Sequence, residues 1–163
     1  MRTVSAVISD TVSGTDFPLA CSYDPTTDTW TPIADLNYAR SDASTVAYNG
    51  CIYIAGGIND NNIEQSVEVY RPETDTWILV KSMGTPRTSF SIAEFGGRIW
   101  AIGGNDGENR LCSCESYDPK TDTWSNEGAM VHNRSTFKAI QFNGELYAVG
   151  GYNGGWLGQW RHN

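Results

Sequence analysis

The sequence predicts an all-β protein made of repeated four-stranded antiparallel sheets, and three observations predict it. First, an eight-residue stretch occurs three times: Tyr23-Asp24-Pro25-Thr26-Thr27-Asp28-Thr29-Trp30, then residues 70–77 (YRPETDTW), then residues 117–124 (YDPKTDTW). Second, its closing tryptophans, Trp30, Trp77 and Trp124, stand 47 residues apart, and four further marks keep that step. These are the glycine pairs Gly56-Gly57, Gly103-Gly104 and Gly150-Gly151, the arginines Arg40, Arg87 and Arg134, the turn pairs Asn49-Gly50, Gly96-Gly97 and Asn143-Gly144, and the aromatics Tyr53, Trp100 and Tyr147. Five marks in register over three copies define a repeat protein. Third, 17 glycines, 12% aromatic and 18% charged residues suit a turn-rich β protein better than a helical or disordered one. At 163 residues the chain is long enough for a sizeable core.

Each element of one unit has a local reason. Residues 43–48 after Arg40-Ser41-Asp42 favour a strand, A, and Asn49-Gly50 closes it, because both residues of such a pair accept positive φ in a hairpin turn. Strand B, residues 51–55, is apolar on both faces and stops at Gly56-Gly57. A polar loop, 58–64, leads to strand C at 65–70. Pro72-Glu73-Thr74-Asp75 is a turn in which proline presets φ and Thr74 and Asp75 bond the local backbone. Strand D follows at 76–80. No helical period is sustained.

A sheet with two apolar faces is not stable alone, and radial stacking of such sheets buries both, giving a β-propeller. The glycine pair fits this packing, since a side chain at the end of strand B would hold neighbouring sheets apart. The order Arg, turn glycine, aromatic before Gly-Gly, then Tyr, Pro and Trp resembles the kelch repeat over residues 16–154. The blades, with Arg-Ser at their opening and YDPxTDTW within, are most similar to those of kelch-like adaptors that carry BTB and BACK domains. That resemblance implies a propeller that binds a substrate protein while BTB engages a cullin-RING ubiquitin ligase. Because some kelch proteins bind actin, it also leaves open a cytoskeletal scaffold.

Three departures shape the expectation. Six units of 47 residues need 282, against 163 here; Ser9-Asp10 stand where a glycine pair is due; and the repeat is lost after Gly155. No BTB or BACK segment stands in these residues. The expected layout is a partial β-propeller of about three kelch blades: a partial blade over 1–34, blades over 38–81 and 85–128, a partial blade over 132–155 and an off-repeat tail over 156–163. It is read either as a piece of a longer gene product or as half of a homodimer whose two chains complete each other's split blade.

Charge and residue chemistry narrow the function. A net charge of −8 opposes nucleic-acid binding, which needs a positive field. No apolar run approaches the about 20 residues of a membrane span. Residues 1–10 lack a long apolar region and read as a strand, not a signal peptide, so the chain is expected to be intracellular and cytoplasmic. Asn133-Arg134-Ser135 matches a glycosylation acceptor but, without a secretory signal, reads as a loop. Cys112 and Cys114 share one strand face, yet His132 and His162 are the chain's two histidines, so no second ligand pair completes a metal site. With Cys21 and Cys51 they read as reduced thiols. No cofactor or metal is expected. Asp42, Asp60 and Asp106 read as turn residues, and nothing pairs a base with a nucleophile, so no enzyme is expected.

Recognition is therefore expected on loops. Antiparallel order puts the start of strand A and the end of strand B at one end of each blade, opposite the hairpins. The B–C loops differ between units, and differing loops on a rigid scaffold carry recognition. The expected partner-binding residues are Arg40, Ser41, Asn59, Asp60, Arg87, Thr88, Asn105, Asp106, Arg134, Ser135, Tyr152 and Asn153. The three arginines have two readings: an arc of donors for a partner's acidic segment, or braces bonded to carbonyls or loop aspartates of their own blade.

Overall fold

The computed structural model describes residues 20–154, and every regular element among them is a strand. The strand expected within residues 1–10 and the tail at 156–163 lie outside the described residues. In chain order, β1 (Cys21–Asp24) and β2 (Thr29–Pro32) form a two-stranded ribbon. A four-stranded sheet follows, in the order β3 (Ser44–Tyr48), β4 (Cys51–Ala55), β7 (Val67–Arg71) and β8 (Thr76–Val80). The second such sheet holds β9 (Ser91–Phe95), β10 (Arg98–Ile102), β11 (Cys114–Asp118) and β12 (Thr123–Asn126). A hairpin of β13 (Lys138–Phe142) and β14 (Glu145–Val149) comes last.

These pairings are the A–B–C–D order of the repeat. The register of the two full sheets agrees at the 47-residue step: Ile52 faces Tyr70 and Ile99 faces Tyr117. Within the loop 58–64 the structure adds a short hairpin, β5 (Ile58–Asn59) with β6 (Asn62–Ile63). Asp60 and Asn61 sit at φ 45° and 68°, the paired positive values that a two-residue hairpin turn needs.

The sheets stack through their side-chain alternation. On β4, Ile52 and Ile54 point to one face, where they cluster with Tyr70 and Trp77 of their own sheet and with Ala20 and Leu36 from the segments flanking the preceding ribbon. Tyr53 and Ala55 point the other way, to Phe90, Ile92, Ile99, Ala101 and Tyr117 of the next sheet. A third cluster joins Ala93, Ile102 and Cys114 to Ala139 of the last hairpin. The hydrophobic core is thus divided among interfaces between neighbouring sheets, as radial stacking requires.

The glycine pairs lie at these interfaces. A Cβ on Gly56 would meet the Arg87 carbonyl and the Phe90 ring, and one on Gly103 would stand 2.7 Å from the Arg134 carbonyl. The repeated Tyr-Pro-Trp stretch makes a second joint. Trp77 Nε1 donates to the Ala34 carbonyl (2.8 Å), and Asp75 accepts the Ala34 amide (2.9 Å). Trp124 and Asp122 hold Lys81 the same way, each bond at 2.8 Å. In both complete sheets the C–D hairpin therefore clamps the residue leaving the preceding strand pair. The Ala34 amide and then the Tyr70 hydroxyl hold the Asp75 carboxyl below its usual range; for Asp122 the Lys81 amide and then Tyr117 do so.

Candidate functional site: the rim of B–C loops

The rim is built by backbone pairing at one end of each sheet. Ser41 and Ile58 exchange amide–carbonyl bonds (3.0 and 2.8 Å), as do Thr88 and Asn105, and Ser135 and Tyr152. The segment before strand A and the start of the B–C loop therefore share one end of every blade, as the antiparallel order predicts. Asp42, Ser89 and Thr136, one step apart, are left-handed at φ 51°, 52° and 56°. That turn aims the Ser89 amide at the Asp42 carbonyl (3.3 Å) and the Thr136 amide at the Ser89 carbonyl (2.7 Å), linking neighbouring blades.

The structure corrects the donor-arc reading of Arg40 and Arg87. Both are buried, at 3% and 0% exposure. Arg87 Nη1 donates to the carbonyls of Gly103 (2.8 Å) and Ser113 (3.0 Å), while Nη2 reaches Ser113 Oγ (3.0 Å) and Glu115 Oε1 (2.8 Å). Arg40 repeats this with Gly56, Ser66 and Glu68. The glutamates also take the linker amides: Glu115 accepts from Gly84 and Thr85, and Glu68 from Asn37 and Tyr38. A guanidinium with carbonyls and a carboxylate on its donors is a brace of its own blade, not a hand held out to a partner. The acid comes from strand C, not from the loop aspartates.

Arg134 is different. Its Nη1 donates to the Ala148 and Gly150 carbonyls (3.3 and 2.9 Å), but its Nε is buried without a partner. The residue one step beyond Glu115 is His162, which lies outside the described residues.

The other expected residues divide by burial. Thr88 and Ser135 are buried. Asn105 Oδ1 accepts the Gly107 amide (2.7 Å), and Asp106 Oδ1 accepts those of Asn109 (2.7 Å) and Glu108 (2.9 Å). The Asn109 amide, then that of Glu108, keeps the Asp106 carboxyl below its ordinary range, and the pair shapes its loop. Ser41 and Asn59 are half-buried, and Asp60, Tyr152 and Asn153 are exposed.

One rim residue escaped the sequence reading. Arg110 Nε donates to Ser135 Oγ (3.1 Å), and its guanidinium lies 4.3 Å from the centre of the Tyr152 ring. It ties the B–C loop of one blade to the start of the next. Its counterpart 47 residues earlier is Ile63, so a change from aliphatic to cationic at one loop position was the available signal. The same substitution explains the Thr88 hydroxyl, which is buried without a partner where Ser135 has Arg110. Thr88→Val, which removes only that hydroxyl, is accordingly expected to leave stability unchanged or raise it by about 1 kcal/mol. Urea unfolding would read this, and a loss of stability would mean the hydroxyl is bonded.

The kelch motif family matches residues 39–84 and again 86–130, more than half of the chain. The chain belongs to the kelch family. Its kelch blades are 44% identical over 48 residues to spermatocyte protein spe-26 of Caenorhabditis elegans and 40% identical over 50 residues to human Kelch-like protein 31. Those matches cover 29% and 31% of this chain but only 8% of each relative. A solved structure titled "Structure of YjhT" superposes with a TM-score of 0.73 at 16% identity, over 80% of this chain and 51% of that one. At that identity the likeness speaks for the fold alone: an open, partial propeller of antiparallel four-stranded kelch blades. Kelch domains generally bind protein partners.

Proposed function

We propose that this protein is the substrate-recognition part of a kelch-like adaptor of a cullin-RING ubiquitin ligase, working in the cytoplasm and gripping its partner with the B–C rim. The observation that carries the recognition site is Arg110 on Tyr152: a cation and an exposed aromatic at a loop position that the repeat does not fix. Arginine and tyrosine are the side chains that most often dominate binding energy at protein interfaces. Asn153 follows Tyr152 on the same loop, and Asn59 and Asp60 stand on the B–C loop of the first complete blade. The likeness to Kelch-like protein 31 supports the adaptor role.

The burial of Arg40 and Arg87 changes the expected partner. Their charges are neutralised by Glu68 and Glu115, so they present no field to an acidic peptide. What remains at the rim is Arg110 and half-buried Arg134 beside Asp42, Asp60, Asp106 and Glu108. That balance suits a neutral or basic segment better than an acidic one.

The double variant Arg110→Ala, Tyr152→Ala should lower capture of the cellular partner at least about tenfold, and the captured protein should lose ubiquitin chains with it. An unchanged bound set from a variant of unchanged melting temperature would refute the rim as the site. Partner capture without any change in ubiquitin chains would refute the adaptor role alone.

A further inference from the structure

The outer strands β2, β8 and β12 share one place in the repeat but not one chemistry. β8 is the last strand of its sheet and pairs with β7 alone, so its other side carries unpaired amides and carbonyls. Ile78 and Leu79, in the middle of β8, are 42% and 46% exposed. One step earlier the same two places on β2 hold Thr31 and Pro32, and one step later on β12 they hold Ser125 and Asn126. Proline and polar side chains discourage pairing at a sheet edge, and β8 has neither at these places.

This exposure belongs to the outer edge and not to a missing neighbour. Trp77, beside Ile78, is 7% exposed and bonded to Ala34, which follows the preceding ribbon. Val80 packs against the core that holds Ile92 and Tyr117 of the following sheet. Blades stack through their sheet faces, so any further blade leaves the edge of β8 on the circumference. Consecutive strand residues point to opposite faces, so Ile78 and Leu79 stand one on each side of that edge. A helix or a flat surface would cover one of them. A strand added in the plane of the sheet meets both.

The charges at the end of β8 specify that strand. Asp122 accepts the Lys81 amide and Trp124 donates to the Lys81 carbonyl, which sets the turn 118–122 of the following sheet beside the end of β8. Lys81 and Lys120 are exposed there, and among the described residues neither is in an ion pair. The carboxylates of that turn are engaged: Asp118 accepts the Lys120 amide (2.9 Å), and Asp122 accepts the Lys81 amide and the Tyr117 hydroxyl, both at 2.8 Å. Ammonium groups are what this end offers a partner, in a chain of net charge −8.

We propose that the free edge of β8 binds an extended segment of another protein as a fifth, antiparallel strand. Its aliphatic side chains lie over Ile78 and Leu79, and a carboxylate at its amino-terminal end meets Lys81 and Lys120. This surface is built from β8 and the turn that follows, not from the B–C loops, so it stands or falls independently of the rim.

The probe is a short blocked peptide, a glutamate pair followed by alternating threonine and valine, titrated against the 163-residue chain and followed by amide hydrogen exchange. Exchange should slow at the free-side amides of residues 76–80 and stay unchanged in the B–C loops. Ile78→Ser with Leu79→Asn, the residues that β12 carries at these places, should weaken binding at least about tenfold at unchanged melting temperature. Lys81→Glu with Lys120→Glu should weaken it about tenfold, and a peptide with lysines in place of the glutamates should prefer that variant to the wild type. No slowing within 76–80 in the folded protein would overturn the proposal. So would free-side amides already protected before peptide is added, which would mean that another part of the chain or a second copy covers the edge. Binding indifferent to both charge reversals would overturn it as well.

Discussion

Glu115→Ala is expected to cost about 3–5 kcal/mol of folding stability, the range for removing one partner of a buried ion pair. The cause is what it leaves behind. Arg87, at 0% exposure, would keep two carbonyls but lose the carboxylate that neutralises it, and the amides of Gly84 and Thr85 would lose their acceptor. Arg87→Ala should cost a similar amount by stranding the carboxylate. The double change Arg87→Met, Glu115→Leu removes both charges and fills their space, and should be milder than either single change despite altering more atoms. Urea unfolding of the three variants decides it. Singles within 1 kcal/mol of wild type would mean the pair contributes no brace.

Gly103→Ala should be nearly as damaging, for steric reasons. Gly103 is at φ 59°, where an L side chain costs about 1–2 kcal/mol. Its new methyl would also press on the Arg134 carbonyl at 2.7 Å and on Met130 at 2.8 Å. That carbonyl is fixed, because it accepts the Gly104 amide at 2.9 Å, so the blades must separate. The expected total is at least about 3 kcal/mol, backbone strain and overpacking together. Gly150→Ala is the internal control: it too is left-handed, at φ 75°, but its methyl would meet open space. Only the about 1–2 kcal/mol of strain should remain there. Equal losses at both positions would deny that the glycine pair works by close approach.

Much of this fold was legible because the repeat states it in residues with fixed backbone meaning. Asn49-Gly50 marked a hairpin, Gly56-Gly57 marked a close approach, and the shared step aligned the units. Half of the arginine brace was not legible. Strand C reads Ser66-Val67-Glu68, which looks like a strand with a polar face toward solvent. In a stack both faces are interior, so Ser66 and Glu68 turn inward and meet Arg40. The serine and glutamate recur at Ser113 and Glu115, each pair 26 and 28 residues after its arginine, and that spacing carried the missing signal. Arg110 was hidden for the opposite reason. It is a feature of one unit alone, and its meaning depends on Tyr152, a residue of the next blade that only the fold brings near.

The division of labour between repeating braces and a non-repeating rim is tested most directly by measuring unfolding free energy and partner capture on the same samples of Arg87→Ala and of Arg110→Ala with Tyr152→Ala. Loss of several kcal/mol in the first, with capture restored when it is assayed under strongly stabilising conditions, and loss of capture with no more than about 1–2 kcal/mol of stability lost in the second, is the predicted pair of results. Capture abolished by Arg87→Ala in a fully folded protein, with the rim variant binding normally, would contradict it.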